Sequence, residues 1–539
     1  MLRLKADRNT AEYLVKVLED NGVDYVFGYP GEQVLPIYEA LRKSGIKHVL
    51  TRHEQAAIHA ADSYARISGK YGVCLATAGP GAMNLVMGVS ACYKDSVPVL
   101  VLTGDVPTTV KGTNTFQDLP LNDIFRPICF KSYNAYSPEK LENSINEAFM
   151  YFEDGVSGPV HINIPKDVQS KPMNVSHKVI HTRNIRTPQE SDIEDTIKMI
   201  ENSEKPLIIA GYGIIYADAM KEFNEFVEKT GIPVATTWNA RGIIPENDER
   251  NLGLVGNRGK TRANYASEHA DLIIALASRL SERTTSHINT KNIIQVNTNT
   301  QHNYGETFYH CNVKEFLEEI NKKQIKTNTG KWKTRILSKD ETRNYVPEKT
   351  DKLHPDTVIQ NILDNCDENT TIVIDAGTIP TYFTMDSTVE KTGKILFSGG
   401  LGPMGYAIPA AIGATYARPD DVIIAATGDG AVQMTIEELA VLNTYKLPII
   451  VIIINNSLLG IIKQWQDMAD IPKYQVDLDN PDFVKLAQSY NIEADNITSI
   501  EELNEKLSKA IKEKKPHLFN IEVADVPIPL PDVSSKNSF

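Results

Sequence analysis

The strongest constraint on this chain is an alternation that starts three times. Short apolar runs of strand length alternate with amphipathic stretches of helical period, and two polar segments interrupt the series. Such alternation implies β-α-β crossovers, which make neighbouring strands parallel and cover both faces of each sheet. In the first series Asn9-Thr10 can cap a helix that turns Leu14, Val15, Val17 and Leu18 inward, with Asn21-Gly22 as its stop. Tyr25-Val26-Phe27 then reads as a strand, as do 73–76, 99–102 and the closing run 158–165, with helical stretches at 53–67 and 81–92. The stretch 167–191 reads as a linker. Alternation resumes with a strand at 207–213, a helix over about 216–230, and strands at 233–236 and 272–276. A Lys/Thr/Asn-rich segment at 321–352 makes a second linker, and strands follow at 371–374, 422–426, 449–454 and 517–521. At roughly 150–200 residues per domain, 539 residues give about three domains. The expected fold class is α/β: three doubly wound parallel-sheet domains over 1–170, 185–330 and 350–525.

Composition narrows the function classes. Apolar residues at 41% and charged residues at 23% exclude wholesale disorder. With 56 basic against 69 acidic residues the net charge is −13, which argues against a surface built to neutralise nucleic-acid phosphates. The basic clusters Lys322-Lys323 and Lys512-Glu513-Lys514-Lys515 are short, diluted by acids, and read as solvated faces. Five cysteines (74, 92, 129, 311 and 366) form no CxxC pair and suit reduced, buried thiols. No apolar run exceeds strand length, and Met1 to Arg8 lacks a secretory core. The expectation is a cytoplasmic protein with neither a membrane nor a nucleic-acid partner.

The sharpest chemical signal lies in the third series. The strand at 422–426 runs straight into Thr427-Gly428-Asp429-Gly430-Ala431, a helical segment follows over 435–446, and the next strand ends in Asn455-Asn456. A right-handed crossover makes the two strands parallel, so Asp429 and Asn456 emerge at one carboxyl edge. One carboxylate, one amide oxygen and a backbone carbonyl such as that of Leu458 suit Mg²⁺, with phosphate oxygens completing its octahedron. Gly428 and Gly430 let the backbone approach a diphosphate, and the following helix start supplies amide donors. Asp-Gly is also a hairpin turn, but a hairpin needs a second strand where this chain turns helical.

A second signal is Thr51-Arg52-His53-Glu54-Gln55-Ala56-Ala57, which places an acid at a strand–helix junction beside small residues. Such a carboxylate can be desolvated and hold a proton near neutrality. Helix-dipole stabilisation accounts for an early glutamate equally well.

Together these strings resemble the thiamine-diphosphate enzymes of the acetolactate synthase (acetohydroxyacid synthase) type, nearly end to end. Further matching strings are Phe27-Gly28-Tyr29-Pro30-Gly31, Gly79-Pro80-Gly81-Ala82-Met83-Asn84-Leu85, Asp95-Ser96-Val97-Pro98, Phe116-Gln117, Ile164-Pro165-Lys166-Asp167-Val168, Gly399-Gly400-Leu401-Gly402-Pro403-Met404-Gly405 and Gln464-Trp465-Gln466. The resemblance implies an N-terminal domain that binds the cofactor's pyrimidine, a C-terminal domain that binds its diphosphate and Mg²⁺, and a central domain that is structural or nucleotide-binding. It implies sites shared between subunits, hence a homodimer or homotetramer, and leaves open a regulatory small subunit. Implied cofactor residues are Pro30, Gly31, Glu54, Pro80, Asn84, Gly377, Thr378, Gly402, Met404, Gly428, Asp429, Gly430, Ala431, Asn456 and Leu458, the metal ligands being Asp429, Asn456 and Leu458. Glu54 would share a proton with the pyrimidine, and Met404 would bend the cofactor. Implied catalytic residues are Glu54, Glu32 and Gln117; implied 2-oxo acid contacts are Phe116, Lys131, Arg279 and Trp465.

Departures from the family pattern matter. Glu32 stands where a glycine is usual and reads as a catalytic acid or as a surface glutamate. The family lysine falls on Phe130, with Lys131 next, and Thr378-Ile379 replaces a Gln-His pair. Arg279 and Arg283 keep a flavin motif whose other positions read Ala277, Ser281 and Glu282, and the ribose-side strand end is Asn297-Thr298-Asn299, so bound FAD stays open. Arg279 and Arg283 as surface salt bridges, and Trp465 as a core aromatic, are the plainer readings. The functional expectation is a decarboxylating carboligase that turns pyruvate into 2-acetolactate and CO₂ in branched-chain amino acid biosynthesis. A non-ligating 2-oxo acid decarboxylase or oxidase is the alternative, and a non-catalytic thiamine-diphosphate binder the remote one.

Overall fold

The computed structural model describes residues 8–155, 158–173, 185–245, 247–339, 350–383 and 395–528. Three six-stranded sheets are parallel throughout. The N-terminal sheet runs, in space, Lys47–Leu50, Tyr25–Gly28, Gly72–Ala76, Val99–Asp105, Val160–Pro165, Lys131–Asn134. The C-terminal sheet runs Ile395–Phe397, Thr370–Ile374, Val422–Gly428, Ile449–Asn455, His517–Glu522, Glu493–Ile497. In chain order both read second, first, third, fourth, sixth, fifth, so the two domains share one topology. The central sheet runs Asn251–Leu254, Val234–Thr236, Pro206–Ala210, Leu272–Leu276, Ile293–Asn297, Thr307–His310. Its order of third, second, first, fourth, fifth, sixth is that of dinucleotide-binding sheets.

In each sheet the order reverses beside the first strand, and ligands of open α/β sheets bind in the crevice beyond the carboxyl ends at that point. The reversal places 29–31 beside 77–80 in the N-terminal domain, 375–378 beside 429–431 in the C-terminal domain, and 211–213 beside 277–279 in the centre.

The outer domains share one core. Helix Glu54–Ser68 packs on helix Ala407–Ala417, and both are buried far beyond one face. A helix that is apolar all round must lie between layers, and Ala407–Ala417 joins Ala57, Ala61 and Tyr64 to Val373, Ile423 and Val451 in one cluster. Gly413 permits the approach: a Cβ there would collide with the Ala60 carbonyl and Ser63 Oγ.

Several local expectations change. Asn9 does cap Thr10–Asp20, through a capping box with Glu12. The helix expected over 216–230 is two, Gly213–Tyr216 and Met220–Thr230, because Asp218 adopts a left-handed conformation (φ 51°). The helical segment at 435–446 opens with a 3₁₀ turn, Ile436–Glu438, before Leu439–Tyr445. Within 321–352, read as a linker, Gly330–Leu337 is a helix that seats Trp332 against the central sheet, its indole N–H donating to Pro206 O at 3.1 Å. Residues 340–349 of that stretch, and 174–184 of the first linker, lie outside the described residues. Pro172–Met173, also read as linker, pairs antiparallel with Arg8–Asn9. All five cysteines are free, four of them buried.

Candidate active site

In the N-terminal domain the carboxyl-edge loops gather the expected residues. Glu54 opens helix Glu54–Ser68 and is 9% exposed. The Asn84 side-chain amide donates to Glu54 Oε2 at 2.9 Å, from helix Pro80–Asp95, which Pro80 starts. A Cβ added at Gly81 would stand 3.0 Å from Glu54 Oε1, so glycine there leaves that oxygen room. Gly31 lies against Thr77, and Gly79 against Gln117, whose Cβ would be 2.9 Å from a Cβ at Gly79. Gln117 itself is left-handed (φ 64°), and its backbone and Cβ lie against Gly79. The sequence-derived residues Pro30, Gly31, Glu54, Pro80, Asn84 and Gln117 thus frame one crevice.

The C-terminal crevice is built the same way. Asp429 is 2% exposed, at the end of Val422–Gly428. Asn480 donates both to Asp429 Oδ2 at 2.7 Å and to Asn455 Oδ1 at 3.1 Å, so one amide ties the two adjacent strand ends. Asn456 Oδ1 accepts from Leu458 N–H at 3.2 Å. Burial pushes the Asp429 carboxyl up, while Asn480 and backbone N–H groups pull it back. No lysine or arginine pairs with it among the described residues. Gly377 (φ 105°) and Gly402 (φ 68°) take conformations that favour glycine, and Cβ atoms there would meet nothing within 4 Å. Met404 reaches toward Gly430, its terminal methyl 3.5 Å from where a Cβ would be, and Thr378 toward Gly460.

Other expected residues stand apart. Glu32 is largely exposed and pairs with Lys166 at 2.9 Å. Phe116 is 79% and Trp465 44% exposed. Lys131 begins the outermost N-terminal strand, over the Tyr151 ring at 5.7 Å; that amino edge of a parallel sheet is opposite the edge carrying Glu54. Arg279 lies 3.5 Å from Asp95 and lines a cavity of about 430 Å³. The cavity opens at the central sheet's reversal, walled by Gly211, Tyr212, Trp238, Arg283, Asn297 and His302. Asn297 turns its amide to Ser278 O at 3.0 Å, and its Oδ1 accepts from Asn299 N–H.

Three residues escaped the sequence reading. Asp375 is 1% exposed and accepts from the N–H groups of Ala376, Gly405 and Ala407 and the Thr427 hydroxyl, binding the Gly402–Met404 loop to two strand ends. Asn480 follows a loop without motif. Glu438 is wholly buried and crosses to the N-terminal domain. The only available signal was Asp375's place at the end of an apolar strand, equivalent to that of Asp429.

Comparison with known proteins matches this division. The family model for the thiamine pyrophosphate enzyme N-terminal TPP binding domain covers residues 8–124, the central domain 193–320, and the C-terminal TPP binding domain 375–521. The class defined by fold and crevices is therefore that of the thiamine-diphosphate enzymes. The probable acetolactate synthase large subunit of Methanocaldococcus jannaschii is 37% identical over 95% of this chain and 91% of its own length. That of Methanococcus aeolicus is 35% identical, over 96% and 92%. The acetolactate synthase large subunit of Buchnera aphidicola is 34% identical, over 95% and 94%. The chain belongs to the thiamine pyrophosphate enzyme family, as an enzyme of the acetolactate synthase large-subunit type.

Proposed function

We propose that the chain is the catalytic subunit of a decarboxylating carboligase that joins two 2-oxo acids, pyruvate first, to give 2-acetolactate and CO₂. The observation that carries this is the pairing of Glu54 with Asn84 in a crevice of one domain and of Asp429 with Asn480 in the equivalent crevice of another. When bound, thiamine diphosphate supplies the carbon nucleophile and the electron sink for decarboxylation. The buried Asp429 carboxylate, without a cationic partner among the described residues, suits Mg²⁺ with Asn456 and the Leu458 carbonyl, diphosphate oxygens filling the remaining positions. Gly377, Thr378, Gly402, Gly428, Gly430 and Ala431 give the diphosphate backbone access. Glu54, with Oε2 held by Asn84 and room left at Oε1 by Gly81, would share a proton with the pyrimidine. Pro30, Gly31 and Pro80 would hold the pyrimidine ring and Met404 would bend the cofactor, with Gln117 as a further catalytic residue beside Gly79.

The two crevices belong to different chains in each site. Exposed apolar side chains flank both, Tyr29, Met87 and Phe116 on one side and Leu401 and Met434 on the other, as an interface between copies requires. Phe116 and Arg279 contact the 2-oxo acids, Trp465 selects the acceptor, and Glu32 serves later proton transfers; Lys131, at the opposite sheet edge, is assigned no contact. The central cavity suits a phosphate-bearing nucleotide such as FAD, with partial or absent occupancy expected because Ala277 and Asn299 stand where the flavin motif has a glycine and an acid. The relatives' designation as large subunits supports a small regulatory partner. No described helix is long and apolar enough to cross a membrane, and a cytoplasmic location is proposed. The test is product analysis with pyruvate, thiamine diphosphate and Mg²⁺, alongside a panel of 2-oxo acids. Acetolactate is expected; acetaldehyde or acetate instead would favour the non-ligating alternative. The protein should emerge with little flavin absorbance and gain it on adding FAD.

A further inference from the structure

The strand–helix junction that carries Glu54 is held from the C-terminal domain of the same chain. Glu438, in the turn Ile436–Glu438, is wholly buried. Its Oε1 accepts the Arg52 N–H at 2.8 Å and the His53 N–H at 2.9 Å. Helix Leu439–Tyr445 adds two bonds: the Tyr445 hydroxyl accepts the Leu50 N–H at 3.0 Å, and Thr444 Oγ1 accepts from the Arg52 guanidinium at 3.2 Å. Residues 50, 52 and 53 thus spend their backbone donors across the domain boundary. Glu54 is the next residue. His53, the N-cap of its helix, also accepts the Gln55 N–H on Nδ1 at 3.1 Å, so the first turn begins where the junction is pinned. Asn84 fixes the head of the Glu54 side chain, and the junction fixes its root.

We propose that Glu438 is a positioning residue: it sets the backbone from which Glu54 reaches the cofactor. The inference rests on the reading of Glu54 as the proton-holding residue. It assigns to Glu438 reach rather than charge, because its two acceptor bonds share one oxygen and no described group bonds Oε2. Burial, aided by Glu437 and opposed by the Arg52 and His53 N–H groups and the Arg52 charge, pushes the Glu438 carboxyl up to about 8. Near neutrality it therefore keeps its proton, and a glutamine reproduces both its charge and its carbonyl oxygen. Aspartate keeps the acid but withdraws the oxygen by one methylene.

The test compares Glu438→Gln with Glu438→Asp in the full-length protein. Deuterium uptake at the Arg52 and His53 amides is read first without cofactor. C2-proton exchange of the cofactor and cofactor affinity follow, with saturating thiamine diphosphate and Mg²⁺. In Glu438→Asp, uptake is expected to rise and C2 exchange to fall by up to about 10²-fold, as for a catalytic group moved by about an ångström, while affinity holds. Glu438→Gln is expected to match the wild type in all three. Wild-type C2 exchange in Glu438→Asp, or equal losses in both variants, overturns the proposal. Glu54→Gln is run alongside: if it too exchanges like the wild type, the reading of Glu54 has failed and takes this inference with it. Loss in Glu54→Gln with wild-type exchange in Glu438→Asp overturns this inference alone. Should Glu438→Asp not fold, Tyr445→Phe removes only the bond to Leu50; a smaller loss of C2 exchange with raised uptake at Leu50 is expected, and no change in either overturns the proposal.

Discussion

At the residue scale, two buried acids, Glu54 and Glu438, do different work. Glu54→Gln keeps the shape and the Asn84 contact but loses the carboxyl proton. Thiamine diphosphate should still bind, while C2 exchange and 2-oxo acid consumption should fall together by about 10²–10⁴-fold. NMR of acid-quenched samples in deuterated buffer reads the exchange, and unequal losses would place Glu54 at a later step. Glu438 makes a prediction in pH. Its carboxyl rises from an ordinary 4.5 to about 8 in the fold, mainly through burial. Between those values the native state holds a proton that the unfolded chain has released, so stability falls as pH climbs through the window. Glu438→Gln removes that dependence. Its unfolding free energy should gain on that of the wild type between pH 5 and 8, by an amount on the order of a few kcal/mol at most. Urea titrations at several pH values check it; parallel curves would show that the acid is solvated. Neither Asn84 nor Glu438 could be assigned its bond from local sequence, since each partner is distant along the chain.

At the scale of elements, the loops beyond the strand ends carry the chemistry, and the strands carry the loops. Asp429→Ala removes the one charged ligand proposed for Mg²⁺, from the helical turn Asp429–Val432 at the carboxyl edge of its sheet. Cofactor affinity should collapse while the folded spectrum survives; calorimetric titration with thiamine diphosphate and Mg²⁺ checks it, and undiminished affinity would move the metal elsewhere. This is also where the sequence was most legible. Strands paired on both sides, such as Val422–Gly428 and Ile449–Asn455, are buried on both faces and read as unbroken apolar runs. Edge strands such as Lys131–Asn134, Thr307–His310 and Glu493–Ile497 are half-exposed, carry polar residues, and gave no such run. Gly330–Leu337 was hidden for a similar reason. Only Trp332 and Ile336 of its eight residues are buried, and flanking lysines and threonines masked that stripe. The Asp429 and Glu54 motifs were legible because each sits where a strand ends and a helix starts. Glu32, Lys131 and Trp465 carried no such local frame, and their places in one chain are peripheral.

At the scale of the whole molecule, the two outer domains share topology and core. Among the described residues no hydrogen bond or ion pair joins Glu54 or Asn84 to Asp429, Asn456 or Asn480. The central claim is that these crevices are two halves of one site, completed by a second copy. Subunit complementation measures this directly. Glu54→Gln and Asp429→Ala proteins, each nearly inactive alone, are mixed, dissociated and reassociated, and acetolactate formation is followed. Each mixed dimer then contains one site with both acids intact, so random exchange should restore about a quarter of wild-type activity. Verified mixed dimers that stay inactive would contradict the account, because Glu54 and Asp429 would then have to serve the same site from the same chain.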